Sequence, residues 1–149
     1  MALPDFREDG WLPEGHHAAT WQEVALRFGG GPDSQRAAIL SSLLQWRDAV
    51  RAKGMAGTLV LDGSFISRKE VPGDFDLVFS YDEVTEESVR EDSEARALTD
   101  YQRCREMGFL GDIFALPASL QKFSPQFSGL NMFDFDRQGI AKGVVEVIL

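Results

Sequence analysis

The sequence predicts an α+β domain in which helices back a mixed β-sheet. Three observations lead there. Residues 34–52 repeat apolar side chains (Ile39, Leu40, Leu43, Leu44, Trp46, Val50) at spacings of three, four and seven, one stripe of a long helix. Short apolar runs at 58–61, 75–79 and 143–149 have strand length and are bounded by Gly, Pro and Asp. The 149 residues are 44% hydrophobic and 26% charged, a globular composition, with no repeat and no linker. A single domain over residues 1–149 follows.

Residues 1–18 are rich in Pro and Gly and read as an irregular segment lying over the surface. Thr20 with Glu23 has the capping-box spacing and opens a short helix over 21–28. Gly29-Gly30-Gly31-Pro32 stops it; no Gly-Lys-Ser/Thr follows, so this is not a P-loop. Asp33 or Ser34 caps the long helix, and Gly54 ends it. Strands over 58–61 and 75–79 come next. Residues 83–106 read as one polar helix, acidic early and Arg-rich late, as the helix dipole favours. A third strand lies within 109–116, with Asp112 near its start and Pro117 as its stop. Residues 118–131 read as a loop. Strands at 131–135 and 143–149 close the chain around the turn Asp136-Arg137-Gln138-Gly139.

A formal net charge of −9 excludes broad, phosphate-driven nucleic-acid binding, which needs a basic face, but leaves room for a local basic pocket at Arg68-Lys69. Cys104 is the single cysteine, so no intrachain disulfide or cysteine-rich zinc site forms, and it reads as a packing residue. The first 15 residues lack the pattern of a signal peptide. No apolar run approaches the roughly 18 residues that span a bilayer. The expectation is a cytoplasmic protein with no membrane partner.

The chemistry concentrates in LDGSFISRKEVPGDFDL, residues 61–77. Successive side chains of a strand point to opposite faces, so Asp74 and Asp76 share a face while Phe75 and Leu77 face a core. Two carboxylates one pleat apart repel, and burying them unpartnered is costly. A hard divalent cation resolves this, and Mg²⁺ prefers carboxylate and phosphate oxygens. Gly63-Ser64 follows a strand, where glycine admits a phosphate close to the backbone and the serine hydroxyl adds a donor. A helical turn starting there would favour an anion at its N-terminus. One loop would thus hold a polyphosphate, and the next strand the metal that bridges it.

Gly-Ser, a spacer and Asp-x-Asp at the head of a strand resemble the signature of the DNA polymerase β-type nucleotidyltransferases, most closely the minimal nucleotidyltransferase branch. The wider pattern LPEGHHAATWQEVALRF, LDGSFISRKEVPGDFDL, GDIF and DRQGIAKGVVEVIL resembles small bacterial nucleotidyltransferase-like proteins over nearly the whole chain. The resemblance implies a nucleotidyltransferase-like sheet. It implies that Gly63 and Ser64 bind the nucleoside triphosphate, that Asp74 and Asp76 hold Mg²⁺, and that Asp112 is the third, catalytic carboxylate. It also implies transfer of a nucleoside monophosphate from an NTP, with ATP the expected donor, to a hydroxyl of a protein or RNA. The branch often works as the antitoxin of a toxin–antitoxin pair or in phage defence, so a cognate toxin or defence protein is the expected partner. The spacer FISRKEVPG departs from the branch, which carries Arg-Gly after Gly-Ser and Ser before the first Asp. Here Arg68 or Lys69 would meet the phosphate charge.

Plainer readings stand beside these. Gly63-Ser64 and the Asp74/Asp76 pair also fit a hairpin with an acidic loop, and the domain also fits a catalytically weak module that binds a partner protein. Asp134 and Asp136 rival Asp112 but flank a glycine turn and read as solvated. Asp62 reads as structural. His16-His17 lack a third metal ligand at suitable spacing and read as surface residues. The acidic run 86–94 reads as a solvated helix face or a surface for a basic partner.

Overall fold

The computed structural model describes residues 3–120 and 141–149. These form an α+β arrangement: a five-stranded mixed sheet backed by helices. The strands are β1 (Gly15–Ala18), β2 (Gly57–Asp62), β3 (Phe75–Tyr81), β4 (Gly111–Pro117) and β5 (Gly143–Ile148), in spatial order β1-β5-β2-β3-β4. β2 is antiparallel to both β3 and β5, whereas β1 runs parallel to β5 and β4 parallel to β3. The helices are α1 (Trp21–Phe28), α2 (Gln35–Ala52), α3 (Glu83–Glu91), α4 (Ser93–Leu98) and α5 (Tyr101–Glu106). Among the described residues no helix is long and apolar enough to cross a membrane.

Local chemistry sets the helix ends. Thr20 and Glu23 form the expected capping box: Glu23 N–H donates to Thr20 Oγ1 at 3.1 Å, and Thr20 N–H donates to Glu23 Oε1 at 3.3 Å. Ser34, rather than Asp33, caps α2 by accepting from Ala37 N–H at 3.1 Å. Gly54 follows the end of α2 with φ +72°, a left-handed conformation that glycine adopts without strain.

Two expectations are corrected. Residues 15–18 are not irregular: they form β1, in register with β5 from Gly15↔Gly143 to Ala18↔Glu146. The preceding segment is also more than a surface cover, since Leu12 is fully buried. The polar stretch 83–106 is three short helices instead of one. Asp92 and Asp100 break it, because each turns its carboxylate onto backbone N–H groups ahead of it and becomes an N-cap. These helices make the crossover that a parallel β3–β4 pair requires. The strand expected at 131–135, the turn at 136–139, Asp134 and Asp136 lie outside the described residues, as does most of the loop expected at 118–131.

The core lies on one face of the sheet. Leu59, Leu61, Leu77, Phe79, Ile113, Val145 and Val147 point there, and Leu43, Trp46 and Val50 of α2 pack onto them. Trp46 meets Phe79 edge-on at 5.6 Å and donates its indole N–H to Leu98 O at 2.9 Å. Cys104 is buried, and burial pushes its thiol up to about 12, which fits a packing role. The opposite face carries a smaller buried cluster, Val60, Val78 and Val144. By alternation this second face also carries Asp62, Asp76 and Asp112.

α2 is tied to the loop after β2 by one side chain. The Arg36 guanidinium donates to Phe28 O at 3.1 Å, Phe65 O at 2.5 Å, Ser67 O at 2.7 Å and Lys69 O at 2.5 Å. A planar fork of donors matches a loop that curls its carbonyls inward. Arg36→Ala is expected to lower the unfolding free energy by about 2 kcal/mol, leaving those carbonyls short of donors. Chemical denaturation reads this, and amide exchange at residues 67–69 should quicken more than in the β-strands.

Candidate metal centre

Strand register builds the site. Asp62 pairs with Asp76 across β2–β3, and Asp76 with Asp112 across β3–β4, so three carboxylates stand side by side in neighbouring strands. Asp74, just before β3, lies one pleat from Asp76. Carboxylate oxygens of Asp74, Asp76 and Asp112 fall within 4.8 Å of one another, each partly exposed. Asp112 therefore joins the Asp74/Asp76 pair, as expected from its strand. Asp62 does not join them. It is buried and ion-paired with the equally buried Lys142, whose ammonium also sits 5.0 Å from the Trp11 ring centroid. Burial pushes Lys142 down to about 8, and the carboxylate beside it favours the charged form.

The cost of gathering these charges shows at Asp76. Burial, together with the neighbouring Asp74 and Asp112 carboxylates, pushes its carboxyl up to about 7. Asp76 therefore holds a proton near neutrality that an ordinary aspartate releases. Arg105 offsets part of the repulsion. Its Nη2 contacts Asp74 Oδ2 at 3.0 Å, its Nε donates to Asp112 Oδ1 at 2.8 Å, and Nη2 also reaches Asp112. The position follows from α5, where Tyr101 and Arg105 are four apart and share a side. Tyr101 stacks on Phe114 of β4 at 5.3 Å, and Arg105 reaches the carboxylates beside it.

The glycine loop abuts the same carboxylate. Gly63 has φ +81°, and a Cβ added there would collide with Asp76 Oδ2. The left-handed backbone favours glycine at this position, and any side chain there would also push the Asp76 carboxylate out of its place. Ser64 opens a 3₁₀ turn, Ser64–Ile66, and its hydroxyl has no partner among the described residues. It shares a cleft of about 440 Å³ with Arg68 and Lys69. Arg68 spends one guanidinium nitrogen on Glu8 O at 2.7 Å, while Lys69 is exposed. All seven residues singled out in sequence therefore fall into two adjoining groups: three carboxylates, and the loop with its basic flank.

Sequence reasoning missed Arg36, Arg105 and Lys142. Arg105 had one readable signal, its place at the basic end of an acidic stretch. Lys142 and Arg36 had none, because Asp62 lies 80 positions from Lys142 and the loop carbonyls 64–69 lie 28 to 33 positions from Arg36. The donor set fits a hard cation: carboxylates only, converging from adjacent strands, with excess negative charge already drawing in a proton and a guanidinium. This trio can hold a metal ion.

Fold and site together define an α+β protein with a candidate carboxylate metal centre. Residues 4–148 match the family described as a family of unknown function, DUF6932, and the chain belongs to it. Neither the curated proteins nor the solved structures contain a match.

The raised carboxyl sets a pH dependence. Below about pH 4, Asp76 is protonated in the folded and unfolded states alike. Between there and about 7 only the folded state keeps the proton, so this contribution to stability falls as pH rises and is lost above 7. Asp76→Asn should remove the effect, gaining about 1–2 kcal/mol over the wild type between pH 5.5 and 8 in metal-free denaturation curves. Equal pH profiles would contradict it. Arg105→Gln should raise divalent-cation affinity about five-fold by calorimetry, since the cation no longer displaces two partly exposed ion pairs.

Proposed function

We propose that this protein is an Mg²⁺-dependent nucleotidyltransferase that moves a nucleoside monophosphate from an NTP, with ATP the first choice, to a hydroxyl. The observation that carries the reading is the packing of Gly63 against Asp76. It sets the glycine of the loop that carries Ser64 directly against a three-carboxylate centre. In this reading Gly63 and Ser64 receive the triphosphate, and Arg68 and Lys69 supply positive charge along its outer side. Asp74, Asp76 and Asp112 would hold Mg²⁺, which when bound neutralises the trio and withdraws charge from the phosphates. The acceptor oxygen attacks the α-phosphorus, the bond to the β-phosphate oxygen breaks, and pyrophosphate leaves. The hydroxyl proton passes to Asp112, the carboxylate at the outer strand of the three. The net charge of −9 favours a protein hydroxyl over an RNA acceptor. A cognate toxin or defence protein fits that acceptor class.

One observation favours a second reading. Arg105 already pairs with two of the three carboxylates, so the trio can stand as a structural ion-pair network without a metal. The domain would then be a binding module that neutralises or assembles with a partner protein. Its binding surface would be the mostly exposed acidic stretch 86–94.

Two measurements separate the readings. Mg²⁺-ATP should raise the melting temperature of the wild type and not that of Asp76→Asn, because a ligand stabilises only the folded state that binds it. Asp112→Ala should keep much of the nucleotide binding yet lose transfer from labelled ATP to the partner protein by about 10²–10⁴-fold, the usual worth of a proton acceptor. Absence of transfer by the wild type with every NTP, alongside partner affinity lost only in variants of the 86–94 face, would sink the enzyme and leave the module.

A further inference from the structure

The cleft beside Ser64 has a second wall, supplied by a segment read in sequence as a surface cover. Residues 7–12 fold into a compact strap. Arg7 N–H donates to Trp11 O at 2.8 Å, Gly10 N–H to Arg7 O at 3.0 Å, and Trp11 N–H to Asp9 Oδ1 at 3.1 Å. The Arg7 guanidinium grips Asp9, and its other nitrogen reaches Ala141 O at 2.8 Å. The strap is fastened on two sides. Arg68 N–H donates to Gly10 O at 2.9 Å and Arg68 Nη2 to Glu8 O at 2.7 Å, which joins it to the glycine loop. Gly143 N–H donates to Leu12 O at 3.0 Å, which joins it to the start of β5.

This fastening holds Trp11 in the wall of the cleft. Trp46, the indole of the core, is fully buried; Trp11 is half-buried and lines the cleft with Ser64, Arg68 and Lys69. The cleft volume, about 440 Å³, lies in the range of small-molecule pockets. Its lining is divided. One part offers a hydroxyl and two cationic side chains, the chemistry of a phosphate chain, beside an Asp9 carboxylate that Arg7 already pairs. The other offers a large flat ring held in place by backbone bonds, the chemistry of a planar base. Stacking on an indole is a substantial source of affinity for nucleobases and asks nothing of the base edge. The Lys142 ammonium near the ring also bonds Asp62, the residue just before Gly63, so ring and loop share one support.

We propose that Trp11 is the stacking platform for the base of the bound nucleotide, and that the strap 7–12 is a wall of the nucleotide cleft. This rests on the nucleotide reading above and names the part of the nucleotide that the strap recognises.

The test compares Mg²⁺-ATP with Mg²⁺-tripolyphosphate, which has the phosphates and no base, on the full chain. The wild type should bind ATP more tightly than tripolyphosphate, and ATP should quench tryptophan emission. W11L, which keeps an apolar side chain of good size, should weaken ATP binding by about ten-fold and leave tripolyphosphate binding unchanged. W11F should retain most of the ATP affinity and lose the quench. Equal ATP affinity in wild type and W11L would overturn the proposal while leaving the nucleotide reading intact. So would wild-type binding of tripolyphosphate as tight as that of ATP, or W11L losing both probes alike, which marks a merely structural tryptophan. Wild type that binds neither probe overturns the proposal and the nucleotide reading together.

Discussion

Like charge held at one point of a sheet is the constraint around which this molecule is arranged. Strand register fixes Asp62, Asp76 and Asp112 as neighbours, and the pleat adds Asp74. Backbone hydrogen bonds along three strands hold them there, so mutual repulsion cannot relax by moving the strands apart. The charge is instead answered locally. Lys142 takes Asp62 into a buried pair, Arg105 lies across Asp74 and Asp112, and Asp76 takes up a proton near neutrality. Breaking a buried pair by removing one partner is typically costly, because the other charge stays behind unpaired. Asp62 and Lys142 therefore belong to the frame of the site, and the three partly exposed carboxylates to its working face.

The frame is stiff for identifiable reasons. The working face rests on a sheet whose other side is packed by α2. The Phe75 ring lies over Gly111, where any Cβ would collide with it, and this close approach leads directly into the Asp76↔Asp112 register. Ser42 of α2 accepts from Leu110 N–H at 2.8 Å, and Phe75 N–H donates to Leu110 O at 3.1 Å, so helix, β3 and the entry to β4 meet at one residue. Arg36 does the same for the loop 64–69. Sites placed on packed strands with their loops pinned from behind need little reorganisation when a ligand arrives.

Arg105 is the softer part. It is exposed on a six-residue helix and bonds carboxylates that are themselves open to solvent, so each contact is worth well under a buried pair. In the proposed metal-binding role, a doubly charged cation would compete with this single guanidinium for the three carboxylates. Arg105 thus offsets part of the repulsion within the trio through contacts that are easily given up.

Much of this was written in the local sequence. The helix caps at Thr20 and Ser34, the apolar stripe of α2, the strands around Leu59, Leu77 and Val145, and the Gly63-Ser64…Asp74-x-Asp76 spacing all depend on residues a few positions apart. Short-range hydrogen bonds and side-chain periodicity fix such features. Asp92 and Asp100 were legible in principle as caps, but a helix-long run of good formers masked them. What only the tertiary structure decided are the pairings between distant segments: β1 adding itself beside β5, Lys142 reaching Asp62, Arg36 gathering the loop carbonyls, Arg105 crossing to Asp74, and Trp11 brought to the wall of the cleft. These depend on which strands become neighbours and in what register. That choice is made by burying the shared core, a global and non-directional driving force that leaves no mark at the individual positions it brings together.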